Sequence, residues 1–172
     1  MKVTLMSIEM PEKKELNSIL VLHEGDDAGH SAKHLIAECM PDIYLIGKAW
    51  DGHNLLPEWF DMKVDMVILI SETDHSLLSI IAGDIRNIIS DVPFVLATNR
   101  AINKDSKDSI KSVFDGVILA SNTERLVYNI NVIWQNNINM KRIKEHEITL
   151  KALRDKVLRY EHMINGTSQK SL

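Results

Sequence analysis

The chain has 172 residues, 45% of them hydrophobic and 5% aromatic, with a formal net charge of −4. That suffices for one domain of ordinary size plus an appendage, packed mainly by Ile, Leu, Val and Met, with no need of disulfides or metal. The acidic balance argues against a wholesale polyanion binder. No stretch approaches the roughly 18 to 20 apolar residues of a membrane span, and Met1 to Met10 carries Glu9 and lacks a signal-peptide core, so a cytoplasmic location is expected.

Residues 1–17 read as an N-terminal extension. From Ser18 onward, short apolar runs alternate with helical patterns. Ser18 to Leu22 is a first strand, and Asp27 to Met40 a helix with Ala32, Leu35, Ile36 and Cys39 turned inward. Cys39 has no internal partner for a disulfide, and its apolar neighbours predict a buried, inert thiol. Ile43 to Ile46 is a second strand, followed by a poorly periodic segment around Leu55 to Phe60 that Pro57 interrupts.

Met66 to Ile70 is almost wholly apolar, as a central parallel strand covered on both faces requires. A helix from about His75 to Ile89 leads to a fourth strand at Phe94 to Ala97. A shorter helix, Ser106 to Val113, precedes a fifth strand at Gly116 to Leu119. Five strands with intervening helices predict a doubly wound α/β sheet over residues 18–122.

From Thr123 to about Ile164 there is neither proline nor glycine, and Asn165-Gly166 reads as a stop signal. Leu126, Ile130 and Ile133 suit packing back onto the sheet. From Ile143 a heptad emerges, with Ile143, Leu150, Val157 and Ile164 at one seam position and His146, Leu153 and Tyr160 at the other. The pattern predicts a dimerising coiled coil within the long helix 123–164, and the β-branched residues lean toward two strands. His146 is either a polar register device or the frayed start of the seam. The alternative for the whole segment is a helix folded back on its own domain. Residues 165–172 are expected to be a disordered tail.

Ser18 to about Ser121 resembles a bacterial response-regulator receiver domain, with Val64-Asp65-Met66-Val67 entering the third strand and Phe114-Asp115-Gly116-Val117-Ile118 entering the fifth. With its long helix, the whole chain resembles the AmiR/NasR (ANTAR) group of antitermination regulators. The resemblance implies a sheet in the order 2-1-3-4-5. It also implies a dimerising coil, control by a ligand-sensing partner protein, and a three-helix RNA-binding domain after the coil. Too few residues follow Ile164 for that last domain, so RNA binding by the family's usual route is not expected.

A working receiver holds Mg²⁺ on an acidic pair after the first strand and accepts phosphate on an Asp ending the third. A Thr or Ser after the fourth strand and a Lys after the fifth respond to the new charge. By the resemblance, those positions fall on His23 and Glu24, on Ile70, on Thr98 and on Ala120. Ile70 offers no nucleophile and Ala120 no cation. The expected protein is therefore not an enzyme, has no cofactor, and must be switched by binding. A phosphorelay receiver is the remaining alternative at this crevice.

Other constellations are weaker. Glu24, Asp26 and Asp27 read as helix-start acids rather than a cation site. His23, His30 and His34 lack the further ligands that zinc wants, so no metal is expected. No glycine-rich phosphate loop or nucleophile elbow occurs. Lys151, Arg154, Lys156 and Arg159 belong to a locally basic stretch that offers RNA phosphates an alternative contact, although charged coil flanks without an aromatic platform are expected for solubility alone.

Overall fold

The computed structural model describes residues 15–24, 26–50, 63–73, 75–89, 91–102, 104–120 and 123–168. In chain order they form β1 (Ser18–Glu24), α1 (Asp26–Cys39), β2 (Tyr44–Trp50), β3 (Met66–Ile70), α2 (His75–Ile88), β4 (Phe94–Thr98), α3 (Lys107–Val113), β5 (Gly116–Leu119) and α4 (Thr123–Ser168). The strands make one parallel sheet in the order β2-β1-β3-β4-β5.

Alternation along each strand divides the core into two layers. Ile19, Val21, Met66, Ile68, Ile70, Val95 and Ala97 face Ile36 of α1 and the first turns of α4. Leu20, Leu22, Val67, Leu69, Phe94 and Leu96 face Leu78, Ala82 and Ile85 of α2 and Ile110 of α3. β3 and β4 are buried throughout because both layers cover them. This is why their sequences are unbroken apolar runs.

Two aspartates tie the N-terminal edge of the sheet together. Asp65 Oδ2 accepts from the backbone N–H of Asn17 at 3.0 Å, from that of Ser18 at 3.2 Å and from Ser18 Oγ at 3.2 Å. Asp115 accepts from the Phe94 N–H at 2.8 Å and from Arg86 at 3.1 Å, while Arg86 also donates to the Val92 carbonyl at 2.8 Å. The two sequence patterns that suggest a receiver thus owe their aspartates to strand-start fastening, not to chemistry. Leu16 packs against the core, so the folded body begins slightly before Ser18.

Several expectations need correction. Cys39 is exposed. At the end of α1 the core takes Ile36 and, just past the helix, Met40, and leaves Cys39 outside their stripe. β1 and β2 run past the apolar runs, to Glu24 and Trp50, because backbone pairing between them continues through Leu22–Lys48 and His23–Ala49. An edge strand needs no apolar side chain at every step to keep its ladder. α4 does not stop at Asn165-Gly166 but reaches Ser168, so residues 165–168 are helical rather than part of a disordered tail. One glycine costs a helix only about 1 kcal/mol relative to alanine, too little to end it alone. The segment Leu55 to Phe60 and the side chain of Ala32 lie outside the described residues.

α4 is 46 residues long and has two parts. Leu126, Ile130, Trp134 and Ile138, at steps of four, are buried against the sheet, and Ile133 packs beside them. Lys141 Nζ donates to the Asp91 carbonyl at 2.5 Å and fastens the same stretch to the start of β4. Beyond it, Ile143, Leu150, Leu153, Val157 and Tyr160 are all exposed. The helix does not fold back on its own domain over this stretch.

Candidate functional site

In an open parallel sheet the crevice at the carboxyl ends of the strands is where ligands bind. Here His23 on β1 lies in register with Ile70 on β3, Ile70 with Ala97 on β4, and Thr98 with Leu119 on β5. The Ser71 N–H donates to the Ala97 carbonyl at 3.1 Å, and the Ala120 N–H donates to the Thr98 carbonyl at 3.2 Å. The structure therefore brings His23, Ile70, Thr98 and Ala120 to one end of the sheet, as the receiver resemblance implies. The side chain of Glu24 lies outside the described residues.

Among the described residues, the strand ends at this crevice are apolar and buried. Ile70 is 3% exposed, and its side chain belongs to the core layer under α1 and α4. Ala120 packs against the same layer. His23, Ser71 and Thr98 are the buried polar residues beside it. Both hydroxyls bond locally, with Ser71 Oγ accepting from the Thr73 N–H and Thr98 Oγ1 from the Arg100 N–H, each at 3.1 Å. Such side-chain bonds two residues onward shape the turns that leave β3 and β4. Thr98 is thus a turn-former in this crevice.

The contact made by Glu72, just beyond the end of β3, was not foreseen from the sequence. Its Oε1 accepts from the Asn99 N–H at 2.8 Å and links the turn after β3 to the turn after β4. A carboxylate of the chain itself spans the gap between those turns. No periodicity marks such a residue, since it lies in a loop; only its place two residues past the strand end gives it away.

No group of three His, Cys, Asp or Glu able to hold a metal occurs among the described residues. His34 instead pairs with Glu38 at 3.2 Å on the exposed face of α1. Lys151, Arg154, Lys156 and Arg159 are all exposed on α4. At 100° per residue they spread over roughly 200° of the helix circumference. They do not form one basic stripe for a phosphate backbone to follow. The predicted seam residues Ile143, His146, Leu150, Leu153, Val157 and Tyr160 are exposed on the same helix, and the Ile164 side chain lies outside the described residues.

The sheet order and the two-layer packing decide the comparison. The fold is that of a response-regulator receiver domain. A two-component response regulator from Clostridium difficile superposes with a TM-score of 0.54 at 20% identity, over 69% of this chain and 96% of that one. The chemotaxis response regulator CheY4 of Vibrio cholerae gives a TM-score of 0.55 at 15% identity, over 69% and 99%. A CheY-like receiver domain protein from Methanospirillum hungatei gives 0.53 at 15%, over 73% and 99%. No protein-family model and no curated protein matches the chain. The likeness to receiver domains is therefore one of backbone architecture.

Proposed function

We propose that the protein is a non-phosphorylatable, response-regulator-like switch that dimerises through the distal part of α4. Its control comes from a ligand-sensing partner protein, in a transcription antitermination system of the AmiR/NasR kind or a related one. It is not an enzyme. The observation that carries this reading is Ile70: a buried aliphatic side chain stands where a receiver needs a carboxylate nucleophile. With Ala120 in place of the responding cation, charge cannot drive the receiver, and differential binding of another molecule is the remaining way to bias it.

Two surfaces support the contacts this requires. The exposed apolar side chains beyond Lys141 form a seam that monomeric proteins rarely leave open to water. On the edge strand β5, Val117 and Leu119 are exposed beside a groove of about 420 Å³ between α3 and β5, lined by Ile102, Ile110 and Phe114 and rimmed by lysines. An open strand edge with an apolar groove and basic rim suits a protein partner with an acidic border.

Light scattering of the purified protein should give a dimer. Incubation with acetyl phosphate and Mg²⁺ should leave both its mass and its association state unchanged. A monomer would remove the dimeric half of the reading, and stoichiometric phosphate incorporation would remove the other half.

A further inference from the structure

We infer that the groove between α4 and the end of the sheet where β4 and β5 start binds a free α-amino acid with an apolar side chain. Asp91 holds its ammonium end, and Lys141 and Lys144 hold its carboxylate end. This goes beyond the switch proposed above and does not depend on it.

The groove has a volume of about 380 Å³, within the usual range for small-molecule sites. Arg86, Asp91 and Asp115 form its wall on the domain side. Ile133, Asn137, Met140, Lys141 and Lys144 form the other wall, at helical steps of three and four that set them on one face of α4. At 100° per residue, Lys141 stands roughly 160° round the helix from Ile143. The groove therefore faces away from the apolar seam, and a second copy along that seam leaves it open.

Charge decides the class of ligand. Arg86 is committed: one nitrogen pairs with Asp115 at 3.1 Å and another donates to the Val92 carbonyl at 2.8 Å. Asp115 also accepts from the Phe94 N–H, so this pair is a closed, neutral stretch of wall. Lys141 gives one N–H to the Asp91 carbonyl and keeps two. The Asp91 carboxylate and the Lys144 ammonium are exposed and committed to no such bond among the described residues. The groups left over thus carry both signs, two cations on α4 and one carboxylate on the wall opposite. A simple anion would be repelled by Asp91, and a simple amine by the two lysines. A molecule with an ammonium and a carboxylate on one carbon satisfies all three.

Asn137 adds a further acceptor. Its Oδ1 is buried with no hydrogen-bond donor among the described residues. Rotation of that amide about its soft terminal torsion brings the oxygen to the groove, where a second ammonium N–H supplies the missing bond. Ile133 and the exposed Met140 give the ligand's side chain an apolar surface, and methionine adapts to its shape.

Equilibrium dialysis of the full chain against labelled leucine tests this. Leucine is expected to bind with a dissociation constant below about 1 mM. As competitors, leucinamide, which lacks the carboxylate, and isocaproate, which lacks the ammonium, should each be weaker than leucine by about tenfold or more. Asp91→Asn and Lys144→Gln, made separately at these exposed positions, should each weaken leucine by about tenfold with an unchanged circular dichroism spectrum. Asp91→Asn should not weaken isocaproate. Absence of leucine binding overturns the inference. Isocaproate competing as well as leucine overturns it in favour of a site for anions alone. Leucine affinity unmoved by either substitution overturns it too, since the molecule is then held elsewhere.

Discussion

Ile70 and Ala120 act together, and the effect of restoring one of them follows from the environment of both. Ile70→Asp would supply a carboxylate at the strand end, but into a position that is 3% exposed and surrounded by Val21, Ile68 and Ala97. An unpaired charge there should cost about 3 kcal/mol or more of stability, visible as a lower midpoint in denaturant. The variant should still take up no phosphate from acetyl phosphate, because His23 stands where a receiver has one acid of its Mg²⁺-holding pair and no lysine at residue 120 neutralises the new charge. Uptake would mean that the carboxylate alone suffices. The sequence made this site legible to the extent that its key residues end apolar strands, whose positions hydrophobic runs mark well. It concealed the bond that Glu72 makes and misjudged Cys39. A loop carboxylate finds its partner through three-dimensional approach, and the last turn of a helix has two apolar stripes to choose from.

At the level of elements, the closeness of α4 to β5 depends on a missing side chain. A Cβ on Gly116 would collide with the Ile133 side chain. Gly116→Ala should therefore push α4 outward and destabilise the fold by about 1 to 3 kcal/mol, as overpacking does. A compensating Ile133→Ala in the same chain should recover part of that loss, which denaturant titration of the single and double variants would reveal. The expected strands all appear, because parallel strands buried on both faces announce themselves as unbroken apolar runs. Their ends moved because pairing, not hydrophobicity, sets where a ladder stops. The stripe on α4 was only partly visible. Leu126, Ile130 and Ile133 stood out, whereas Trp134 and Ile138 complete it at the same four-residue spacing.

The whole molecule has a receiver-like fold from which a single helix carries an uncovered apolar seam outward. Leu150→Glu with Leu153→Glu should abolish association while leaving the domain folded, since neither residue touches the core. Light scattering should report a monomer, and circular dichroism should keep the sheet signal while losing part of the helical one, because long isolated helices are marginal in water. A variant that remains dimeric would move the contact to another face.

The unbroken run of α4 from the core to its far end has a mechanical result. Its first four turns are embedded beneath the sheet, while the stretch after Ile138 extends roughly 40 Å at 1.5 Å per residue. A stiff rod clamped at one end magnifies small angles. A tilt of about 5° at the clamp carries the tip by ~3 Å, enough to take one side chain out of its socket on a facing helix. Any protein that grips the domain thereby gains leverage over what lies far from its own footprint.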